Sequence, residues 1–363
     1  MMETGLFLDM LRFDSTSSKE GAFADYLAGI MAGPGRRIET FEVGDGTRNL
    51  LVSWGTPKVI FCSHLDTVPP YIAPVVEDGV VRGRGSCDAK GQIFSMYEAC
   101  RQLEARGCTD FGLLLLAGEE TGSFGAKAYN ALMSKNGGSS QAWLIVGEPT
   151  DNAMASAAKG TKSFEVTFDG RPCHSGYPEN GESAILYFND FVNALRSIVF
   201  PVDEVLGETT WNIGKLASDN PQNILSEKLS CRVYFRTTFE SDEMVCNVMK
   251  NIAGADAKLR FGRRKVQDGS DIVAKDVAPW QKAMTVKAFG GDTPSRFDVL
   301  EGFESKPVAF GSDAPQLTCF AHKILCGPGS ILVAHKDEEH VLLSDLEKAV
   351  ANYVRMYEII NGR

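Results

Sequence analysis

Apolar positions in the first part of the chain form short, unbroken runs separated by segments with helical spacing. Three such runs are Val59–Cys62, Leu113–Ala117 and Trp143–Val146. Runs of this length are typical of strands that are buried on both faces of a sheet. Between the first two runs, apolar residues with helical spacing predict a helix from near Gly91 to near Gly107. The alternation predicts an α/β fold, with a mostly parallel sheet and helices on both faces.

The pattern changes after Lys159, where apolar and polar residues alternate strictly. Phe164–Phe168 and Leu229–Arg236 have the alternation of strands with one solvated face. Together with two helices and two further strands, they give the order strand–helix–strand–strand–helix–strand of a ferredoxin-like α+β unit. Its other predicted elements are the helices Glu182–Ile198 and Asp242–Ile252 and the strands Thr210–Leu216 and Lys258–Phe261.

Near the end of the chain the α/β pattern returns. Apolar segments recur at Pro307–Phe310 and Lys323–Leu325, and a capping box formed by Ser344 and Glu347 predicts the start of a closing helix. The ferredoxin-like unit is therefore predicted to be an insertion. We predict a discontinuous α/β domain of residues 1–157 and 268–363, and an inserted domain of residues 158–267.

Polar side chains follow the predicted parallel strands at the points where the strands end. In open α/β sheets, ligands bind beyond the carboxyl ends of the strands. Imidazole and carboxylate groups suit zinc, cobalt or manganese, and a shared carboxylate with several others suits two divalent metals about 3.5–4 Å apart. The residues expected at this edge are His64, Asp88, Glu119, Glu120, Glu148 and His335.

Two of these segments suggest more specific roles. Asp66 lies two residues after His64, so in an extended backbone it can orient the histidine ring. Glu119 and Glu120 are adjacent, so one can bind metal while the other acts as a general base. Taken alone, the fragment with His64 and Asp66 is equally consistent with polar residues in a turn. The glutamate pair could also lie in a solvated turn, but its position directly after a buried run disfavours this. Their recurrence at several strand ends favours the metal site.

Composition excludes several classes of protein. The net charge of −10 argues against nucleic acid and anionic membrane surfaces as partners. The start of the chain lacks the pattern of a secretion signal, and no apolar run is long enough to span a bilayer. Nine scattered cysteines without a Cys-x-x-Cys pair are typical of reduced thiols, so we expect a cytoplasmic protein.

Two motifs are also absent, one for dinucleotide binding and one for a serine hydrolase. The pair Gly83 and Gly85 lacks the third glycine of a dinucleotide fingerprint, and Asp88 would repel a phosphate. No Gly-x-Ser-x-Gly occurs, so a serine hydrolase is not supported. His322 and His340 are expected to be peripheral, and a loop histidine such as His174 most often has no catalytic role.

The motifs together resemble those of the zinc-dependent amidohydrolase family of acetylornithine deacetylase, succinyl-diaminopimelate desuccinylase and glutamate carboxypeptidase. The resemblance covers nearly the whole chain and is closest to the acetylornithine deacetylase branch. It implies a zinc-exopeptidase-like catalytic domain with an inserted lid and dimerisation domain. The segments that carry it are His64–Thr67, Gly83–Gly91, Gly118–Gly122, Gly147–Thr150, His174–Ser175 and Ala334–His335.

The resemblance also implies roles for individual residues. One metal, expected to be zinc, is held by His64, Asp88 and Glu148. A second is held by Glu120, His335 and the shared Asp88, and the peptide bond after Asp88 is expected to be cis. In addition, the resemblance implies Glu119 as the general base, Asp66 as the residue orienting His64, Arg236 and Asn223 as the substrate-carboxylate site, and His174 as an oxyanion donor from the opposite subunit of a homodimer.

The activity implied by this resemblance is hydrolysis of a small N-acyl amino acid. We expect the substrate to be N-acetyl- or N-succinyl-ornithine, as in arginine biosynthesis. The alternative is a metallo-dipeptidase or carboxypeptidase with the same two-metal site. A metal-free binding protein on the same fold is disfavoured, because such proteins usually lose ligands and here every ligand is present.

Overall fold

The computed structural model describes residues 4–135, 140–252 and 278–362. The helices are α1 (Gly5–Leu11), α2 (Gly21–Met31), α3 (Lys90–Ala105), α4 (Phe124–Lys135), α5 (Ala184–Ser197), α6 (Asp242–Asn251), α7 (Pro279–Lys282) and α8 (Leu343–Ile360). The strands are β1 (Arg36–Gly44), β2 (Thr47–Gly55), β3 (Val59–His64), β4 (Val75–Glu77), β5 (Val80–Arg82), β6 (Asp110–Leu116), β7 (Trp143–Val146), β8 (Met154–Ala158), β9 (Gly160–Asp169), β10 (Thr210–Ala217), β11 (Lys228–Thr237), β12 (Met284–Gly290), β13 (Ser295–Arg296), β14 (Ser305–Val308), β15 (Lys323–Leu325) and β16 (His340–Leu342).

The main sheet has six strands in the order β1-β2-β6-β3-β7-β15. Strands β6, β3, β7 and β15 are parallel, and the hairpin β1-β2 is antiparallel at one edge. The predicted mostly parallel sheet is confirmed. Because the strands are parallel, the residues that follow β3, β6, β7 and β15 all emerge at the same edge.

This sheet is buried on both faces, as its unbroken apolar runs indicate. On β6, Leu113 and Leu115 belong to the core that also contains Phe94 of α3 and Tyr353 of α8. Leu114, which points to the opposite face, is completely buried as well. Helix α3 begins directly after the loop that contains Asp88, so this packing also fixes that loop.

The chain forms two compact units. The first contains residues up to Ala157, Arg296–Val308 and the chain from Ser312 onward, and the second contains Ala158–Ser295 with Ala309–Gly311. The second unit has a four-stranded antiparallel sheet in the order β10-β11-β9-β12. Residues of α5 and α6 pack with this sheet in one core that includes Phe168, Phe191, Phe235 and Val245. This is the strand order of the ferredoxin-like unit.

Three details differ from the sequence-based expectations. The predicted strand Lys258–Phe261 lies outside the described residues. The fourth strand of the second unit is β12, which pairs with β9, so this unit extends beyond the predicted boundary at residue 267. The capping box at Ser344 is wrong, because α8 begins at Leu343 with Leu342 at its N-cap, and the backbone N–H of Leu343 donates to the carbonyl of Gly79. Among the described residues, no helix is both long and apolar enough to cross a membrane.

Candidate active site

Two histidines and two carboxylates meet at the carboxyl edge of the main sheet. Donor atoms of His64, Asp88 and Glu120 lie within 4.8 Å of one another. His64 Nε2 is 3.0 Å from Asp88 Oδ1. On the other side, His335 Nε2 is 3.3 Å from Asp88 Oδ2 and 2.9 Å from Glu120 Oε1. Asp88 therefore lies between the two histidine rings, with one carboxylate oxygen toward each.

The chemistry of these donors fits a divalent metal centre. Imidazole nitrogen and carboxylate oxygen are ligands of zinc, cobalt and manganese. Burial raises the pKa of the Glu119 and Glu148 carboxyls, and the charge of Asp88 adds to both shifts. Several carboxylates are thus held close together with little access to water, and a bound cation would compensate their charge.

The histidines of the cluster are surrounded differently. The side chain of His64 is 1% exposed, and that of His335 is 49% exposed. Hydrogen bonds to Asp88 and Glu120 raise the pKa of His335 to about 10. Burial alone would raise the pKa of Asp88, but the hydrogen bonds from His335 and His64 outweigh it and hold that pKa well below its usual range.

Glu148 lies outside the group of three that shares the 4.8 Å limit. It follows β7 and is 4% exposed, and burial, together with the charge of Asp88, raises the pKa of its carboxyl. The sequence-based assignment put Glu120 and His64 on different metals, whereas here donor atoms of these two residues lie in one group with Asp88. The shared position of Asp88 accounts for this proximity.

Asp66 contacts other parts of the site in addition to His64, its expected partner. Its carboxylate accepts the backbone N–H groups of Glu119, at 2.9 Å, and Glu120, at 3.2 Å, and the hydroxyl of Ser17 at 2.8 Å. Nδ1 of His64 is 2.9 Å from the main-chain oxygen of Asp66 and 3.5 Å from its carboxylate. Asp66 therefore fixes the turn that presents both glutamates, in addition to contacting the histidine.

The two contacts to the glutamate backbone and the one to Ser17 were missed in the sequence. The signal for the glutamate contacts was present, because parallel pairing sets His64 opposite Leu116 and so brings the ends of β3 and β6 side by side. Ser17 lies in the turn between α1 and α2, which local sequence does not connect to β3. The peptide bond between Asp88 and Ala89 is cis, as the resemblance implied.

The candidate residues of the second unit are exposed or half-buried. His174 and Asn223 lie on adjacent loops, because the backbone N–H of Ser175 donates to the carbonyl of Asn223 at 2.9 Å. Nδ1 of the His174 ring accepts the N–H of Gly176 at 3.0 Å. Arg236 lies on the partly exposed face of β11, and its guanidinium is 5.0 Å from the centroid of the Tyr234 ring.

Comparison with known proteins agrees with the geometry of the first unit. The profile of peptidase family M20/M25/M40 matches residues 60–359. A probable carboxypeptidase of Aspergillus niger is 32% identical over 84% of this chain and 74% of its own length. Two solved structures share the fold. A tripeptidase of Staphylococcus aureus has a TM-score of 0.77 at 18% identity, covering 98% of this chain and 97% of its own. A metallo-carboxypeptidase of Sulfolobus solfataricus has a TM-score of 0.72 at 15% identity and covers 100% of both chains.

Proposed function

Because this chain belongs to peptidase family M20/M25/M40, we propose that it is a metal-dependent dipeptidase or carboxypeptidase. Its substrate is a short peptide with a free α-carboxylate, and the bond cleaved is the amide next to the C-terminal residue. The observation that carries the proposal is the contact of Asp88 with both histidines at the edge of a parallel sheet. The carboxypeptidase name of the Aspergillus niger relative favours this substrate class over the N-acyl amino acids expected from the sequence.

The metal centre of the proposal uses the five ligands that the resemblance implies. When bound, two divalent cations would polarise the scissile carbonyl group and acidify the attacking water. Zinc suits the donor set, and cobalt or manganese are the alternatives. The proposed ligands are His64, Asp88, Glu120, Glu148 and His335.

The two adjacent glutamates are assigned different roles, Glu120 as a metal ligand and Glu119 as the general base. Glu120 contacts His335 directly, which supports its role as a ligand. Glu119 has its backbone fixed by Asp66 and a carboxyl group whose pKa is raised by burial. A carboxylate with a raised pKa is a suitable general base. In the proposal, Glu119 takes a proton from the attacking water and returns it to the departing amine nitrogen.

Substrate recognition is assigned to the second unit. Arg236 and Asn223 bind the free α-carboxylate of the substrate, since a guanidinium pairs with a carboxylate through two parallel hydrogen bonds. His174 donates a hydrogen bond to the carbonyl oxygen as negative charge develops on it. The side chains of His174 and Asn223 are exposed and that of Arg236 is half-buried, so all three have surface available to a ligand. We propose a homodimer in which His174 acts on the site of the partner subunit.

A substrate panel tests the proposed function. The panel contains dipeptides, tripeptides, the same peptides with an amidated C-terminus, and N-acetyl amino acids including N-acetylornithine. We expect release of the C-terminal residue from the free peptides and little turnover of the amidated ones. Peptides with a blocked N-terminus then separate the two activities, because a dipeptidase needs the free amine and a carboxypeptidase does not. Turnover of N-acetylornithine well above that of every peptide would overturn the peptidase assignment in favour of a deacylase.

A further inference from the structure

A buried carboxylate lies beside the proposed metal ligands without belonging to them. Glu339 is completely buried, four residues after His335 in the sequence. Its neighbour Glu338 is exposed, so the fold buries one of two adjacent glutamates and leaves the other in solvent. A buried carboxylate is costly unless its oxygens accept several hydrogen bonds. Glu339 meets this requirement entirely with groups of the loop that carries Asp88.

The carboxylate of Glu339 binds this loop at four points. Oε1 accepts the backbone N–H groups of Gly85 at 2.9 Å, Cys87 at 3.1 Å and Asp88 at 3.1 Å. Oε2 accepts from the guanidinium of Arg84 at 2.5 Å. Three N–H groups can converge on one oxygen because the loop turns tightly at Gly85, whose φ is +84°. The backbone of Asp88 is thereby fixed by a residue of a distant segment.

Arg84 makes the reciprocal connection. It is 2% exposed, and its guanidinium donates to the carbonyl of Lys336 at 3.2 Å and to that of Pro70 at 3.2 Å. Lys336 follows His335, whose φ of +63° is in the left-handed region that a non-glycine residue adopts only when its surroundings hold it. Each of the two loops therefore holds the backbone of the other, directly beside Asp88 and His335.

We propose that Glu339 and Arg84 are positioning residues that set the distance and orientation of Asp88 relative to His335. Neither residue is among the proposed metal ligands. The inference rests on the proposed metal centre, because it assigns to this ion pair the task of holding two of its ligands. Hydrogen-bonding partners behind metal ligands commonly govern affinity and ligand orientation.

Replacing the Glu339 carboxylate by an amide tests this proposal with the smallest change in side-chain shape. Glu339→Gln keeps the shape of the side chain but replaces one acceptor oxygen by an NH₂ donor. That donor must face either Arg84 or the three backbone N–H groups, all of which are donors themselves. The loop then has to shift, and Asp88 shifts with it.

The experiment uses Co²⁺ added to chelator-treated full-length protein. Affinity is measured by competition with a chelator, and the visible absorption of the bound ion reports its ligand geometry. For Glu339→Gln we expect Co²⁺ binding about 10–100-fold weaker than in the wild type, and an altered absorption spectrum at saturation. A residue that only stabilised the fold would lower the thermal midpoint and leave the spectrum of the saturated protein unchanged.

Two control variants separate the site from general effects. Glu338→Gln makes the same chemical change at the exposed neighbour and should bind Co²⁺ as the wild type does. Glu104→Gln disrupts another ion pair, since Glu104 accepts from Arg36 and from the indole of Trp54. It lies near the far end of α3, about 21 Å along the helix from Lys90 at 1.5 Å per residue, so it should change stability alone.

Arg84→Lys decides the matter if Glu339→Gln fails to fold. Lysine keeps the positive charge beside Glu339 but cannot reproduce the planar fork that reaches both Lys336 and Pro70. We expect an altered absorption spectrum and about tenfold weaker Co²⁺ binding. Tenfold is the lower end of the range for residues that support metal ligands. Wild-type affinity and spectrum in the folded variants would overturn the inference while leaving the proposed function intact. Absence of Co²⁺ binding by the wild type would overturn both.

Discussion

The candidate residues of the two compact units differ in their surroundings. In the first unit they form one contiguous cluster, in which the side chains of His64 and Asp88 are 1% and 7% exposed. In the second unit His174 and Asn223 are exposed, and Arg236 stands half-buried on a strand. Buried polar groups must satisfy one another, whereas exposed ones are free to meet a ligand. The buried cluster of the first unit therefore suits a metal centre, whereas the residues of the second unit are assigned to substrate recognition only as part of the proposed function.

This difference can be tested by separating metal content from turnover. Changing a ligand in the first unit should remove metal, whereas changes in the second unit should leave the metal content intact. Glu119 is the informative exception, because it belongs to the first unit but is assigned a proton-transfer role.

Glu119→Gln should lower turnover about 10²–10⁴-fold, the usual contribution of a general base. Metal content should stay at the wild-type level, because Glu119 is not among the residues assigned as ligands. Steady-state kinetics and metal analysis of the same preparation check both parts. Glu120→Gln is the matched control and should lose metal. The opposite pattern, with metal lost in Glu119→Gln and kept in Glu120→Gln, would reverse the two assignments.

His174→Ala should lower turnover about 10²–10³-fold, as expected for the loss of one oxyanion donor. Metal content and folding should be unchanged. Mixing this variant with Glu119→Gln tests whether His174 acts on the partner subunit. If it does, each mixed dimer contains one doubly altered site and one intact site, so activity returns on subunit exchange. Activity that stays absent in mixed dimers would place His174 within its own subunit's site, and normal activity of the single variant would remove it from catalysis.

His335→Ala should weaken binding of one metal by about 100-fold or more. Loss of a residue that only supports a ligand weakens metal binding by about 10–100-fold, and loss of a ligand itself should cost at least as much as the upper end of that range. The second metal should be retained, because His64 and Glu148 remain. His340→Ala is the control, since the His340 ring contacts the main-chain oxygen of Glu338 and is not among the proposed ligands. Metal analysis after exhaustive dialysis gives the stoichiometry. Unchanged affinity for both metals would contradict the assignment of His335 as a ligand.

Arg236→Ala should raise KM about 10–100-fold for peptides with a free α-carboxylate. A hydrogen bond to a charged group contributes about 1.5–3 kcal/mol, and about 1.4 kcal/mol corresponds to tenfold. Arg236→Lys should restore little, because lysine lacks the fork that pairs with a carboxylate. Amidated peptides serve as the control substrate. Equal losses on carboxylate and amide substrates would show that Arg236 supports the structure of its strand instead.

Much of the first unit could be predicted from the sequence because parallel strands end at a common edge. The apolar runs that form β3, β6 and β7 are each followed by a candidate residue, so their clustering could be predicted from the order of strands and polar residues along the chain. His335 was expected there as a second histidine in a late loop, but it follows β15 by a longer loop, and its role as a ligand came from the resemblance. The resemblance also supplied the roles of His174, Asn223 and Arg236, because neither an exposed loop nor the polar face of a strand identifies a substrate site by itself.

Other features depend on contacts that local sequence does not encode. Glu338 and Glu339 are adjacent and chemically identical, and only the approach of the Asp88 loop buries one of them. Strand β12 was missed because it lies at a sheet edge with most of its residues exposed, which removes the usual alternation. The capping box at Ser344 failed because a backbone contact with Gly79 starts the helix earlier.

Metal-dependent hydrolysis of a peptide with a free α-carboxylate is the central claim, and a metal titration tests it most directly. Protein stripped with a chelator is titrated with Zn²⁺ while release of the C-terminal residue from a dipeptide is followed. Stripped protein should be inactive, and activity should return as Zn²⁺ is added and reach its maximum by two equivalents per chain. Stripped Glu119→Gln should bind the same amount of Zn²⁺ and remain inactive. Full activity of the stripped wild type, or no dipeptide hydrolysis at saturating Zn²⁺, Co²⁺ or Mn²⁺, would contradict the account.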